Sequence, residues 1–353
     1  PTIDNGGGVE KNFFNITNYL STKINEVSVI TLSQSTKIKL NKKINIICPK
    51  ISLIKYFGRR AKFLISLIYL LKEIISNKNS TVLCFQGIIY CTLFCKLIGT
   101  KIIIRSNSSP SGWSDNYIKK ILYKIIYGFA DKIIVNSLNF KKELREKFNL
   151  KSVCIYNPLN KTEIIKNSKI RVNFEFFNKK NLNLISVARF SEQKDHECLI
   201  KSMSFIKKRN IRLLLIGSGP LRYKIFELIK KLKLTNNIKI IDFKKNPFPY
   251  IKMSDVFILS SKYEGLPNVL LEAITLNKLI ISSDCPTGPK EILDNGKGGL
   301  LFKTGNFKML SKKIIFFMKN KKLFNVKKKH ALLRLERFNY EKRLNDYLNV
   351  INN

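Results

Sequence analysis

Histidine, carboxylates and long apolar runs are all scarce in this chain. Of its 353 residues only two are histidine, His196 and His330, and 24 are acidic against 65 basic. No convincing nucleophile–base pair can be assembled from the sequence, and His196 reads as a structural residue. The longest strongly apolar run, Phe63 to Leu71, covers nine residues, about half of the ~20 needed to cross a bilayer. Seven cysteines make an odd count without paired Cys-x-x-Cys motifs, and most sit inside apolar runs. That argues against a disulfide framework or a zinc site and fits a reducing compartment. The first residues carry no signal-peptide pattern, so a cytoplasmic or membrane-peripheral protein is expected.

The shortage of carboxylates leaves a formal net charge of +41. Such a balance attracts nucleic acid, anionic lipid or phosphorylated substrates. The excess is mainly lysine, 53 residues against 12 arginines, in a chain also rich in asparagine and isoleucine, as a biased codon usage would produce. It is spread along the chain with no block that would mark a tail. A basic nucleic-acid-binding protein without enzymatic activity is therefore the rival reading. No fingerprint of aromatic and basic residues on strands supports it, and no nucleic-acid partner is expected.

What is present is enough apolar material, 44% of residues, for packed cores, in a chain long enough to form two domains. Strand-like runs at 27–32, 44–48, 82–85, 101–105 and 132–135 alternate with helical ones at 53–76, 88–97, 116–127 and 139–148. Such alternation predicts a parallel sheet covered on both faces. After Tyr156-Asn157-Pro158-Leu159 the stretch 160–180 is polar without clear periodicity, and the domain boundary is placed there. A second series restarts at Leu182–Phe190 and continues through 211–216, 238–243 and 256–261. The expected fold class is α/β with two Rossmann-like domains, residues 1–157 and 158–335, followed by a helix over 336–353.

The chain opens at Pro1-Thr2-Ile3-Asp4-Asn5-Gly6-Gly7-Gly8, with neither an initiator methionine nor a strand ahead of the glycines. Several preceding residues, and with them a central strand of the first sheet, are expected to be missing. Gly6, Gly7 and Gly8 permit close backbone approach to a phosphate and lead into a helix with Val9, Phe13, Ile16 and Leu20 on one face.

The rest of the chain is organised around Tyr263-Glu264-Gly265-Leu266-Pro267-Asn268-Val269-Leu270-Leu271-Glu272. The preceding 256–261 reads as a buried strand and Pro267 suits the first turn of a helix, so Glu264 is placed at a strand tip and Glu272 on the helix. Crevices outside the carboxyl ends of parallel strands are where open α/β sheets bind ligands. This stretch resembles the E-x7-E signature of the retaining glycosyltransferases of family 4, and the agreement continues through 281–293. The N-terminal Gly-Gly-x-Glu and the run Asp131 to Ser137 are also similar to that family.

The resemblance implies a GT-B fold, two domains facing a cleft, with the last helix crossing back to the first. It implies that Glu264 contacts the transferred sugar and Glu272 the ribose of a nucleotide sugar. Arg189 and Lys194, flanking a turn after a strand, match the family's diphosphate clamp. The donor-binding set is completed by Gly265, Leu266, Pro267, Asn268, Gly217, Gly219 and Lys244. Glu264, Arg189 and Lys194 are the expected catalytic group. No Asp-x-Asp triplet occurs, so no metal or other cofactor is expected, and cationic side chains balance the departing diphosphate.

Where many relatives carry a histidine in the first domain, this chain has Arg105 and Asn107 at a strand tip. Two readings stand for Arg105: contact, with Asn107, to the sugar or acceptor, or capping of the strand. UDP is the expected nucleotide and an N-acetylhexosamine or hexose the expected sugar, the stretch Asp284 to Pro289 being similar to that of relatives using UDP-N-acetylhexosamines. The expected acceptor is a glycan, free or linked to undecaprenyl diphosphate, in surface polysaccharide, capsule or lipopolysaccharide assembly. Basic helical stretches at 55–63 and 119–124 read equally as anionic-membrane contacts or as solvated faces of packed helices.

Overall fold

Unbroken β-branched and leucine-rich runs become parallel strands, because only a sheet covered on both faces can bury them. The computed structural model describes residues 7–33, 39–49, 56–107, 116–207 and 209–353. The chain divides into two compact units, Pro1–Pro158 with Tyr340–Asn353, and Leu159–Asn339.

In the first unit the order is α1 (Gly8–Leu20), β1 (Ser28–Ile30), β2 (Asn45–Ile47), α2 (Arg59–Ser76), β3 (Val82–Cys84), α3 (Ile88–Leu97), β4 (Ile102–Arg105), α4 (Tyr117–Gly128), β5 (Lys132–Val135), α5 (Leu138–Phe148) and β6 (Val153–Cys154). β3–β4–β5–β6 form one parallel sheet, and β1–β2 a separate parallel pair. A cavity of about 950 Å³ lies among α1, β1, α2 and β3, lined by Phe13, Val29, Phe63 and Leu83 among others. The last helix, α14 (Tyr340–Asn352), belongs to this unit and buries Leu344 and Tyr347 in one cluster with Ile16 and Leu20 of α1 and Ile103 and Ile134 of the sheet.

The second unit runs α6 (Lys161–Ser168), β7 (Leu182–Val187), α7 (His196–Ser204), β8 (Ile211–Ile216), α8 (Arg222–Lys231), β9 (Ile238–Ile241), α9 (Phe248–Met253), β10 (Val256–Leu259), α10 (Asn268–Thr275), β11 (Leu279–Ser283), α11 (Pro289–Ile292), β12 (Leu300–Phe302), α12 (Phe307–Lys319) and α13 (Phe324–Arg334). Its six strands are all parallel in the order β12-β11-β10-β7-β8-β9. The order reverses between β7 and β10. Leu184, Ile185, Leu213, Phe257 and Ile258 are fully buried, each contributing roughly 1.5–3 kcal/mol.

Four expectations are refined. The polar stretch after Pro158, without clear periodicity in the sequence, contains a helix. Asn160 caps α6 by accepting from the Glu163 backbone N–H at 3.0 Å, and Ile164 and Ser168 are buried. Pro267 is the N-cap of α10 and not a residue of its first turn. α2 begins at Arg59, after Gly58, and not at Leu53, which lies outside the described residues. The chain re-enters the first unit only at Tyr340, because Leu335 and Phe338 are buried in a short turn packed on α10 and α13.

Candidate active site

β7 and β10 are hydrogen-bonded neighbours, but the chain leaves them in opposite directions across the sheet. Their two exit loops therefore diverge, opening a crevice at the carboxyl ends of the strands. The β7 loop supplies Arg189 and Lys194, and the β10 loop supplies Glu264. Lys194 Nζ donates to Glu264 Oε1 at 2.6 Å, with the two side chains 19% and 7% exposed. Residues 70 positions apart are thus one ion pair, because adjacent strands end beside each other.

A lattice of serines and a glutamine holds the pair. Ser261 Oγ donates to the same Glu264 Oε1 at 2.6 Å, Ser260 Oγ to the Lys194 carbonyl at 2.9 Å, and Gln193 Nε2 to the Tyr263 carbonyl at 2.9 Å. The Lys262 N–H donates to the Gln193 carbonyl at 2.8 Å, and Ser283 at the tip of β11 donates to the Ser261 carbonyl at 2.7 Å. Both side-chain contacts of Glu264 fall on Oε1, and no donor among the described residues reaches Oε2. That oxygen is left open to accept a further hydrogen bond.

The loop after β11 supports Glu264 from the other side. The Thr287 hydroxyl donates to the Glu264 carbonyl, and a Cβ on Gly288 would sit 2.4 Å from the Gly265 carbonyl oxygen. Thr287 has φ +59°, an outlying conformation for a β-branched residue, costing of order 1–3 kcal/mol. The hydrogen bond and burial hold it there. Gly265, Leu266 and Pro267 are buried and shape the turn, and Asn268 heads α10. No side chain caps that helix, so its first N–H groups favour an anion. Glu272 stands on α10, four residues past its start and 8% exposed.

Arg189 is exposed and makes no ion pair among the described residues, which leaves its guanidinium available for a phosphate. Gly217 and Gly219 have a structural reason to be glycine. A Cβ on Gly217 would lie 2.0 Å from the Ala188 carbonyl oxygen and one on Gly219 2.5 Å from that of Phe190. They let the β8 loop dock on the Arg189 turn, where the Phe190 N–H donates to the Ser218 carbonyl at 2.9 Å. Lys244 is exposed beyond β9.

The candidates of the first unit are placed differently. Gly6 lies outside the described residues. Gly7 caps α1 while its N–H donates to Glu10 Oε2 at 2.8 Å, and Gly8 is the first helical residue. Arg105 is 1% exposed. Its Nε donates to Tyr347 Oη at 2.7 Å, Nη2 to Asn157 Oδ1 at 2.7 Å and Nη1 to Asn107 Oδ1. Arg105 thus ties the sheet to α14, a structural role that reaches beyond capping its own strand. Asn107 is half-buried and donates onward to the Phe85 carbonyl at 3.2 Å.

Two family models match this chain. One described as glycosyltransferase family 4 covers residues 6–163, and one described as glycosyl transferases group 1 covers residues 167–334. The chain is a glycosyltransferase, its first half matching the family 4 model and its second half the group 1 model. It is similar to an uncharacterized glycosyltransferase of Methanocaldococcus jannaschii, 36% identical over 55% of this chain and 50% of that protein, so the match spans about half of that relative's length. It is also similar to the N-acetylgalactosamine-N,N'-diacetylbacillosaminyl-diphospho-undecaprenol 4-alpha-N-acetylgalactosaminyltransferase of Campylobacter jejuni, 25% identical over 74% of this chain and 73% of that protein. Anabaena HepE, solved with UDP, shares the fold at a TM-score of 0.77 and 15% identity, over 98% of this chain and 96% of that one. The glycosyltransferase therefore has the GT-B architecture of two α/β domains.

The sequence reading of this glycosyltransferase missed the supporting lattice: Gln193, Ser260, Ser261, Ser283 and Thr287. Consecutive serines closing buried strands were its one visible signal, since a hydroxyl at a strand tip needs a partner. Thr287→Val keeps the branched shape but leaves the Glu264 carbonyl without its donor. We expect the KM for donor to rise and kcat to fall, together about tenfold, while Thr287→Ser stays near wild type, read by steady-state donor turnover.

His196 is not part of this chemistry. It is 3% exposed, lies edge-on to Phe190 at 5.0 Å, and neither ring nitrogen has a hydrogen-bond partner among the described residues. Burial first, and the Lys194 charge second, lower its pKa from 6.5 to about 4. Between those values the unfolded chain binds a proton that the folded one refuses. Stability is thus full above about pH 6.5 and falls as pH drops toward 4, by ~3 kcal/mol in total. His196→Leu should flatten that slope and raise the melting temperature near pH 5. An unchanged slope in the variant would assign the acid sensitivity to other groups.

Proposed function

We propose that this glycosyltransferase moves an N-acetylhexosamine or hexose from a UDP-linked donor to a glycan acceptor, lipid-linked in its natural setting, with retention of anomeric configuration. The observation that carries the reading is the Lys194–Glu264 pair at the point where the strand order reverses, beside the exposed Arg189. Glu264 accepts hydrogen bonds from sugar hydroxyls, and Glu272, by resemblance, from the ribose. As the bond from the anomeric carbon to the phosphate oxygen breaks, negative charge gathers on the diphosphate. Arg189, Lys194 and the uncapped start of α10 are the fixed positive groups that receive it, without a bridging metal. The acceptor hydroxyl attacks from the side the diphosphate leaves, and its proton passes to the departing phosphate oxygen. No protein nucleophile is needed. Diphospho-undecaprenol in the Campylobacter relative's name supports a lipid-linked acceptor in surface-glycan assembly. Seven cysteines without a disulfide among the described residues support a reaction on the cytoplasmic side.

Donor hydrolysis measured across a panel of UDP- and GDP-sugars tests this. Turnover confined to one or two UDP-sugars is expected. Turnover of none, together with tight and salt-sensitive RNA binding, would replace it by the nucleic-acid reading.

A further inference from the structure

Lys327, His330, Arg334 and Arg337 recur at three- and four-residue steps along α13 and the short turn that follows it. Such steps bring side chains to one side of a helix. In the second unit that side meets α11 and the turn leading from it to β12. Lys327 Nζ donates to the Gly296 carbonyl at 2.6 Å. His330 Nε2 lies 2.8 Å from Asp294 Oδ2, and Arg334 Nε 3.7 Å from the same oxygen. Arg337, half-buried, donates from Nη2 to the Glu291 and Ile292 carbonyls at 3.1 and 3.2 Å. Those carbonyls close α11, where a helix has acceptors left over. The backbones also approach closely, since a Cβ on Gly298 would sit 3.1 Å from Ala331 Cβ.

The turn held in this way is strained. Asp294, Asn295 and Gly296 have φ of +48°, +54° and +89° in succession. Asp and Asn visit that region as single residues, so a run of three stands only where its surroundings impose it. The other end of α11 is built into the crevice. Gly288 caps the helix with no room for a Cβ against the Gly265 carbonyl, and Thr287 donates to the Glu264 carbonyl. The Glu264 N–H donates in turn to the Pro286 carbonyl at 3.4 Å. Within α11 the Ile292 N–H donates to the Gly288 carbonyl at 2.8 Å, closing one helical turn. α11 is therefore a one-turn strut between the Glu264 loop and the basic side of α13.

We propose that Arg337 is a positioning residue for Glu264. By fixing the carbonyl end of α11 it sets, through Gly288 and Thr287, where the carboxylate loop stands in the crevice. Lys327, His330 and Arg334 hold the strained turn beyond and stiffen the same brace. The mechanical link from Arg337 to the loop stands without the transferase reading; only its effect on turnover rests on that reading.

The test is hydrogen exchange of the whole chain, read by mass spectrometry. In Arg337→Ala the segment 262–269 should exchange about tenfold faster while β10 stays protected, and Arg337→Lys should fall between the variant and wild type. Lys278→Ala is the matched control. Lys278 Nζ also donates to two carbonyls near a helix end, those of Lys252 and Ser254 after α9 at 2.6 and 2.7 Å, but at the amino ends of the strands. That control should leave 262–269 as in wild type. Release in Arg337→Ala confined to 289–298 would make Arg337 a local cap and overturn the proposal, as would equal release of 262–269 in the control. Kinetics read the consequence. Arg337→Ala should lower kcat/KM for donor about fivefold, and combining it with Thr287→Val should cost no more than about twofold beyond Thr287→Val alone, because both act along one path. Single effects that multiply in the double variant would put Arg337 off that path and overturn the proposal. A wild type that turns over no nucleotide sugar would instead sink the transferase reading and leave the exchange result to decide the brace.

Discussion

Lys194→Ala is expected to lower kcat/KM for donor turnover by about a hundredfold, equivalent to ~2.7 kcal/mol of lost transition-state stabilisation. Two effects combine in that figure. The departing diphosphate loses a fixed cation, and Glu264, 7% exposed at its side chain, loses its only cationic partner within 4 Å among the described residues. A carboxylate left alone in such a site has its charged form disfavoured. Glu264→Gln tests the second effect separately, since it removes the charge and keeps an oxygen that can accept from Ser261. The double variant should be more stable than Lys194→Ala alone, because no uncompensated carboxylate remains. Donor turnover within twofold of wild type in both single variants would remove these residues from the chemistry.

Arg105→Ala should destabilise the first unit by about 3 kcal/mol, the largest stability effect expected of any single side chain discussed. The guanidinium is 1% exposed and donates to Tyr347, Asn157 and Asn107 from three different nitrogens. It also lies over the Phe85 ring, 5.7 Å from the centroid. Removing it leaves buried acceptors without a donor and opens a void between β4 and α14. Burial raises the Tyr347 phenol pKa, and the neighbouring Arg105 opposes that rise. Arg105→Lys should recover little, since one ammonium cannot reproduce three donors in a planar fork. Hydrogen exchange of the α14 amides, protected in wild type and released in the variant, localises the effect. Protection retained throughout α14 would mean that the helix is held by Leu344 and its apolar neighbours alone.

Much of this was legible in the sequence because it rests on local pattern. β5 was read at 132–135 and α3 at 88–97, where they are observed, since an apolar run bounded by breakers carries its own period. Glu264 and Lys194 were named because their motifs are contiguous. α6 was not read, although Asn160 followed three residues later by Glu163 is a helix-start signal, because its eight residues carry only one fully buried aliphatic, Ile164. The tie made by Arg105 is invisible in the sequence for another reason. A strand tip in a parallel sheet is where ligands bind, and nothing local shows that a tyrosine 242 residues away fills the space beside it.

The sequence by itself determined the two α/β units, the order of their elements and the residue types at the crevice, since each depends on neighbours along the chain. Tertiary structure alone decided which carboxylate meets which cation, why Thr287 tolerates a left-handed backbone, and that Arg105 ties β4 to α14. Those outcomes depend on which strands end side by side, and strand order is set by packing across the whole sheet.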